Sequence, residues 1–463
     1  MAYQFTSHES FSHDDIESFG YDWERIGDPS IRPHHPLKIY LPETTEELVA
    51  VVKEASQLKQ TLTIRSKGHS SNDLVLSDRG AVLGTQRLRG IVHLDPKALL
   101  VTIRAGTVLA ELDEELAQQG LGLKVIGDHN HITAGGFASV GGISPSSHRH
   151  GLFVDTVSAV EFVDWTGRVL QIDRRTDPHG LNRVLGSTGQ LGVLATLTVE
   201  LMRVDKWGTI LRNRRFMTSK LDKFIDYSWE KISAPGDDVL MERGVWLEYP
   251  RGRFGHYRVG QFSAYHNSAQ TAMARLRNRL SYGWLHFLGK WAGRLPSLLD
   301  KMVKLFGMMG IVYSPKFASI KNVETFTDKV IDSSVGDPTR MLIVLAPMSE
   351  YRTLFMKLHE LLVRYRDQHQ AFSFISFYVK GISSAWLSDD EQPYCELMLY
   401  LGCKPANLGA ERLAALVAEM DELTMLHGAF RYMHTKTSRD STIRAKVDPH
   451  VRHAGTSAAM AAE

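Results

Sequence analysis

The sequence predicts an α+β protein with two domains, on three observations. A chain of 463 residues is longer than one ordinary core requires. Strand-like runs alternate with glycine-bearing turns up to about residue 205, and strand and helix patterns alternate again from about 207 to 427. We therefore expect a first domain at 1–205, a second α+β domain with an antiparallel sheet at 206–425, and a segment at 426–463 that returns to the first domain.

Capping residues and the spacing of apolar residues predict the helices of the first domain. Thr44 and Glu47 form a capping box before an apolar face that runs to Leu58. A second helix is expected over Val108–Gln119, with Gly120 as its stop. The expected strands are Ile91–Asp95, Leu99–Arg104, Leu194–Val204 and a hairpin of Val157–Val163 with Arg168–Ile172.

The second domain begins with strand-like runs and continues through a long basic and aromatic helical stretch, 269–306. Further elements are expected at 341–345, 350–368, 372–379, 394–401 and 409–427. The residues from Ala454 to Glu463 are expected to be disordered because they are small and weakly apolar.

Composition indicates a globular chain, with 43% hydrophobic and 23% charged residues. A formal net charge of +2 provides no general attraction to nucleic acid, so no nucleic-acid partner is expected. Two cysteines do not indicate a disulfide framework. The first 20 residues lack the apolar core of a signal peptide, and no run of 18 apolar residues occurs. We expect a cytoplasmic protein that could also associate with a membrane.

The most informative stretch is the turn at 65–73, which follows a strand-like run. It is basic, contains a glycine and is followed by small polar residues, so successive backbone N–H groups can face an anion. Such a turn can hold a dinucleotide pyrophosphate, with His69 within reach of a flavin ring. The candidate binding residues here are Arg65, Ser66, Lys67, Gly68, His69, Ser70 and Asn72.

Two Gly-Gly pairs, at 135/136 and 141/142, and a glycine-rich run at 186–193 follow this turn. Glycine lets the backbone pass close to a flat ligand because no Cβ obstructs the approach. Each motif alone is typical of an ordinary tight turn. The order and spacing of all three motifs together are a more specific indication of a shared ligand site than any one of them.

In this order the motifs resemble the FAD-linked oxidases and dehydrogenases of the vanillyl-alcohol oxidase type, which carry a PCMH-type FAD-binding domain. The resemblance covers roughly residues 35–205. The central block, Thr133–Ser144, is most similar to cytokinin dehydrogenases. The tail, Arg431–Arg439, instead resembles decaprenylphosphoryl-ribose and aldonolactone oxidases, in which a lysine of a similar stretch enters the active site.

The resemblance implies FAD as cofactor and a two-part FAD-binding domain beside the substrate domain. His69 stands where many members carry a histidine bonded to the flavin, although Ser66 replaces a usual glycine. The alternative is a histidine that only packs on FAD. A second covalent bond is not expected, since 129–131 contain no cysteine. Further cofactor-binding residues implied are Asp128, Thr133, Gly135, Gly136, Ser139, Gly142, Ile143, Gly192 and Val193.

Two residues are candidates for catalysis. Asp128 has the offset from Thr133 at which cytokinin dehydrogenases place their proton-accepting aspartate, and an apolar flavin site would raise its pKa toward neutrality. The alternative is an aspartate that caps a turn. Lys436 is the competing group, whose ammonium could stabilise negative charge on the flavin or orient a substrate oxygen; it could equally be a surface lysine.

The expected function is hydride transfer from a CH–OH or CH–NH group of a small or lipid-linked substrate to flavin, followed by reoxidation by O₂ or another acceptor. Two alternatives stay open: a membrane-peripheral flavin reductase or epimerising oxidase acting on a lipidic alkene or lipid-linked sugar, and a non-catalytic flavin-fold protein. The basic, aromatic residues 275–306 suit a peripheral membrane contact or a helical pair packed on the second domain.

Two His-x-His pairs, His129/His131 and His148/His150, invite a metal interpretation. No acidic or cysteine partner has suitable spacing to them, and histidines beside a flavin are explained as polar lining. No metal site is expected.

Overall fold

The computed structural model describes residues 19–22, 34–70, 74–205, 208–252, 255–291, 314–324, 339–388, 392–435, 437–438 and 440–453. Two predicted site residues, Asn72 and Lys436, lie outside this described part. So do residues 292–306 of the basic stretch and the tail from Ala454, whose expected disorder stays a prediction.

The first described sheet has three parallel strands in the order β1-β3-β2. Its helix follows the sequence prediction: the Thr44 side chain accepts a hydrogen bond from the Glu47 N–H, and the apolar face from Leu48 to Ala55 is buried. The elements are β1 (Lys38–Tyr40), α1 (Thr45–Gln57), β2 (Leu62–Arg65) and β3 (Ala81–Gly84).

The second sheet has six strands, all paired antiparallel, and β9 pairs with three of the others. The predicted hairpin after residue 163 is confirmed as β7 and β8. The elements are β4 (Ile91–Asp95), β5 (Leu100–Arg104), α2 (Leu109–Ala117), β6 (Leu121–Leu123), α3 (Ala134–Ala138), α4 (Ser147–His150), β7 (Val157–Asp164), β8 (Val169–Asp173), α5 (Pro178–Val184) and β9 (Gly192–Arg203).

The third sheet has eight antiparallel strands in the order β13-β10-β12-β11-β15-β16-β14-β17. The described elements are β10 (Ile210–Thr218), α6 (Leu221–Ser233), β11 (Val239–Gly252), β12 (Gly255–Asn267), α7 (Ala272–Trp291), β13 (Phe317–Ser319), β14 (Thr339–Pro347), α8 (Tyr351–His369), β15 (Phe372–Ile382), β16 (Tyr394–Cys403), α9 (Pro405–Leu408), α10 (Ala410–Leu426), β17 (Phe430–Arg431) and α11 (Ser441–Val447). The predicted α+β class is confirmed, and so is the antiparallel sheet expected in the chain after residue 205.

Each face of the eight-stranded sheet packs against a different layer, because successive side chains of a strand point to opposite sides. On β11, Trp246 belongs to a core shared with α6 and α8. Its neighbours Val245 and Leu247 belong to the core shared with the six-stranded sheet. The face that carries Val245 and Leu247 is therefore turned toward the glycine-rich turns of the first 205 residues.

The chain after α10 contacts both parts of the protein. β17 pairs with β14 of the eight-stranded sheet. Farther on, the His450 side chain bonds to the Arg183 carbonyl in the segment between the six-stranded sheet's β8 and β9. In the described part, no helix is long and apolar enough to cross a membrane.

Candidate functional site

A cavity of about 410 Å³ lies between the glycine-rich turns and the eight-stranded sheet. On one side it is lined by the chain around 62–75, 127–143 and 188–194. On the other it is lined by β14, β15 and β16, and by residues 432–434. The tertiary structure thus joins three sequence motifs and the face of a distant sheet in one site.

Most of the residues predicted from the sequence meet at this cavity. Arg65 and Gly142 do not line it, although both support residues that do. The predicted residues that line it are Ser66, Lys67, Gly68, His69, Ser70, Asp128, Thr133, Gly135, Gly136, Ser139, Ile143, Gly192 and Val193.

The turn after β2 is supported from beneath by the side chain of Arg65. Arg65 is buried, its guanidinium lies 5.4 Å from the Phe19 ring centroid, and burial lowers its pKa to about 10. Gly68 has φ +73°, and a Cβ there would lie 2.5 Å from Arg65 Nη2. Only glycine therefore fits at this position, which brings the backbone and His69 to the cavity wall.

Ser66 fits the turn without backbone strain. The residues with positive φ do not include it, so the glycine usual at this position is not required here. Its side chain is hydrogen-bonded to Thr85, and its carbonyl accepts a bond from Gln86 Nε2 at 3.1 Å. The departure from the family pattern is thus accommodated by polar contacts to the segment after β3.

The central block forms a short helix and a sharp turn. The Thr133 side chain caps α3 by accepting a hydrogen bond from the Gly136 N–H. Gly142 has φ +83°, and a Cβ there would lie 2.4 Å from Phe153 Cβ. Gly142 therefore serves close packing behind the cavity, while Gly135 and Gly136 present backbone to it.

Three charged side chains gather around Asp128, which is 11% exposed. Lys380 Nζ is hydrogen-bonded to Asp128 and lies 2.9 Å from Glu396 Oε2. Arg243 Nη1 lies 3.7 Å from Asp128 Oδ1. Asp128, Lys380 and Glu396 line the cavity. We call these four residues the charged cluster.

The expectation of a raised pKa for Asp128 is wrong. Burial by itself raises that pKa, but the charges of Lys380 and Arg243 outweigh burial and lower it. Asp128 is therefore ionised at neutral pH. The pKa of Glu396 is raised instead, because burial outweighs its attraction to Lys380.

Arg243, Lys380 and Glu396 were missed by sequence reasoning. Lys380 and Glu396 are directly opposite each other on β15 and β16. Each is the sole charged residue in its strand, and a charge inside a buried strand was the available signal. Arg243 gave the same signal on β11, although Glu242 stands beside it.

Three residues of the tail reach the cavity. Tyr432, Met433 and His434 line it, and burial lowers the pKa of His434 to about 4, so this histidine is neutral at pH 7. The segment is anchored by buried Asp421, which pairs with Arg431 and accepts a bond from the Ser438 N–H. Lys436 lies between these anchors in sequence, outside the described residues.

The histidine pairs are separated by the fold. His69 and His129 line the cavity with ring centroids 5.7 Å apart. His148 lies elsewhere, bonded through Nε2 to the Val239 carbonyl. Among the described residues, no group of three or more histidine, cysteine or acidic side chains is arranged to hold a metal ion.

Residues 36–173 match the family described as FAD binding domain. The chain carries a PCMH-type FAD-binding domain. This match confirms the predicted family likeness and FAD as the cofactor. The FAD-binding domain contributes one wall of the cavity, and the eight-stranded sheet contributes the other.

Similar proteins are oxidases and dehydrogenases. Cytokinin dehydrogenase 1 of Arabidopsis thaliana is 26% identical over 260 residues, which are 50% of this chain and 45% of that protein. L-gulonolactone oxidase of Bos taurus is 26% identical over 165 residues, 36% of this chain and 37% of its own. D-arabinono-1,4-lactone oxidase of Eremothecium gossypii is 27% identical over 202 residues, 39% of this chain and 38% of its own. The chain spans less than half the length of these relatives.

The residues of the cavity fit FAD. Glycines at 68, 135, 136, 189 and 192 leave parts of the lining without a Cβ, which suits a flat ring and a pyrophosphate. Lys67 supplies positive charge beside the turn. Leu62, Ile64, Val140 and Leu194 supply apolar surface. The opposite wall consists of side chains of the eight-stranded sheet.

Proposed function

We propose that this chain is an FAD-dependent oxidoreductase that acts on a CH–OH or CH–NH group of a small or lipid-linked substrate. Bound FAD would supply the hydride acceptor and pass electrons to O₂ or another acceptor. The observation that carries the proposal is the charged cluster, which opens into the same cavity as the flavin-binding turns. Hydride removal from such a group also releases a proton, and the cluster can receive it.

In this proposal Asp128 takes the proton from the substrate hydroxyl or amine. Asp128 is suited to this role because it is ionised and lies at the cavity wall. Protonation removes its attraction for Lys380. Because Lys380 is also 2.9 Å from Glu396, the buried ammonium keeps a carboxylate neighbour throughout.

The proposal is tested first with the purified chain. We expect it to be yellow, with the flavin bleached anaerobically by a CH–OH or CH–NH compound. L-gulonolactone, D-arabinono-1,4-lactone and a cytokinin form the starting panel because the relatives' names point to them. A colourless chain that binds no added FAD would contradict the proposal.

We further propose that His69 is bonded covalently to the flavin. The support is its position on the cavity wall, partly buried and held by the turn at Gly68. Acid precipitation should leave flavin with the native protein, whereas His69→Ala should release all of it. His131→Ala, at an exposed histidine of the central block, is the matched control. Complete release of flavin from the native protein would show that His69 only packs on FAD.

A peripheral membrane contact through 275–306 is also proposed, and residues 275–291 of this range are described as part of α7. Five apolar side chains form an exposed stripe along α7, and the helix has arginines and no acidic residue. The stripe consists of Met273, Leu276, Leu280, Trp284 and Phe287. This feature favours a lipidic substrate over a free sugar. A cytoplasmic location of the protein stays a prediction.

Vesicle sedimentation tests this contact. We expect the protein to sediment with vesicles containing anionic phospholipid. The double change Leu280→Glu with Trp284→Glu should reduce the bound fraction at least about tenfold, because two apolar side chains that would enter the lipid are replaced by acidic groups that anionic lipid repels. Leu426→Glu, at a 72% exposed leucine of α10, is the control. Equal sedimentation of the double variant and the native protein would remove α7 as the contact.

A further inference from the structure

Arg243 is buried in the middle of the eight-stranded sheet, on the face that is turned toward the FAD-binding domain. It is 2% exposed. In the pairing of β11 with β12, Arg243 is opposite Ser263 and Met241 is opposite Tyr265, so Tyr265 is a diagonal neighbour of Arg243 on the same face. Tyr378 of β15 is opposite Val245 and is the diagonal neighbour on the other side.

A third tyrosine completes the group from α7. Tyr282 belongs to the inner face of that helix and is 1% exposed. Tyr265, Tyr282 and Tyr378 pack in the same buried core, and each interacts electrostatically with the Arg243 guanidinium. We call Arg243 and these three residues the tyrosine–arginine group.

This group is rich in hydrogen-bond donors. A guanidinium has five N–H donors and no acceptor, and each phenol adds an O–H donor. Asp128, a charged acceptor 3.7 Å from Arg243, is also bonded to Lys380. Among the described residues, the buried hydroxyls of Tyr265 and Tyr378 have no hydrogen-bond partner. Leaving such groups unpaired costs about 1–3 kcal/mol each, so a bound acceptor would stabilise them.

The group is connected to the cavity. Tyr378 lines the cavity together with Asp128 and Lys380. Next to them on the same wall are the apolar side chains of Met341, Ile343 and Met398. This wall therefore offers an apolar surface that ends at Tyr378, Asp128 and Lys380. Arg243, Tyr265 and Tyr282 are buried behind it and do not line the cavity themselves.

We propose that this end of the cavity binds a carboxylate of the substrate, which is received by the Tyr378 hydroxyl at the cavity wall and by Arg243, with Tyr265 and Tyr282, directly behind it. The inference rests on the proposed function, because it names the substrate class of the same site: an acid with an apolar body. A carboxylate provides two acceptor oxygens, which match a guanidinium fork and flanking O–H donors. The apolar body lies along Met341 and Met398.

The test compares two probes of equal shape, hexanoate and hexanamide, on the FAD-loaded protein. Binding is read as the shift of the melting temperature and as the change in the flavin absorbance spectrum. We expect hexanoate to bind at least about tenfold more tightly than hexanamide, since charge-assisted bonds are about twice as strong as neutral ones. Arg243→Met should weaken hexanoate binding about 30-fold or more and leave hexanamide binding within about twofold.

Tyr378→Phe provides a second variant in case Arg243→Met does not fold. It should weaken hexanoate binding about fivefold by removing one donor. Arg212→Met, at an exposed arginine of the same sheet, is the control and should bind both probes as the native protein does. Equal binding of the two probes, or unchanged hexanoate binding by both Arg243→Met and Tyr378→Phe, would overturn the inference.

The outcomes separate this inference from the proposed function. A yellow protein whose flavin is reduced by a neutral substrate, and which does not prefer hexanoate, overturns the inference alone. A colourless protein that binds no FAD overturns the proposed function, and the melting temperature still reports whether the chain prefers hexanoate.

Discussion

Replacing Asp128 by Asn is expected to leave FAD bound and to slow flavin reduction by substrate about 100-fold or more, the usual contribution of a positioned general base. Asparagine keeps the shape of the side chain but cannot accept the proton. FAD should remain because the turn at Gly68 and the central block are unchanged. Anaerobic stopped-flow reduction at saturating substrate measures the effect.

Asp237→Asn is the matched control, because that aspartate is exposed on the loop before β11. Its flavin should be reduced by substrate at the native rate. If the flavin of Asp128→Asn were also reduced at the native rate, another group would have to take the proton. In the native protein, the lowered pKa of Asp128 keeps the base ionised, so its protonation should not slow reduction until the pH falls below the usual carboxylate range of about 4.

Replacing Glu242 by Gln is expected to stabilise the protein at pH 8. Glu242 is buried on the opposite face of β11 from Arg243, and burial raises its pKa to about 8. The unfolded chain releases this proton near the ordinary pKa of 4.5, whereas the folded chain holds it until about pH 8. The contribution of Glu242 to the free energy of unfolding is therefore fully present below about pH 4.5. It is lost progressively as the pH rises to about 8. Glutamine resembles the protonated acid and removes this loss.

The expected difference is a few kcal/mol at pH 8 and almost none at pH 5, because one pKa unit corresponds to about 1.4 kcal/mol. His148 Nδ1, 3.9 Å from Glu242, does not offset the effect at pH 8, since burial lowers the pKa of His148 from its ordinary 6.5. Melting temperatures of the FAD-loaded protein across this pH range measure it. The exposed Glu230→Gln should follow the native profile. Parallel pH profiles for Glu242→Gln and the native protein would show that Glu242 ionises normally.

Much of the fold could be predicted because its signals are local. The cap at Thr44, the stop at Gly120 and the hairpin between β7 and β8 each depend on a few neighbouring residues. The order of the glycine motifs along the chain indicated the family and, through it, FAD as the cofactor. The exact strand ends were less certain, since β11 and β12 extend several residues beyond their apolar runs through pairing with each other.

The candidate site could be predicted only on its flavin side. Most of the turn at 65–70 and of the central block reach the cavity as expected. The substrate side depends on Lys380 and Glu396, which face Asp128 because β15 and β16 pair in one register. A register shift of a single residue would turn both side chains to the other face, so no local pattern could establish the contact.

By itself, the sequence determined the α+β class, the FAD-binding domain and most of the residues that approach the cofactor. These features follow from short-range patterns of capping, glycine and alternation. Only the tertiary structure decided the charge state of the site. Burial alone would have raised the pKa of Asp128, and it is lowered because distant strands bring Lys380 and Arg243 beside it. Electrostatic energy depends on the distances between charges in the folded chain, which sequence separation does not reveal.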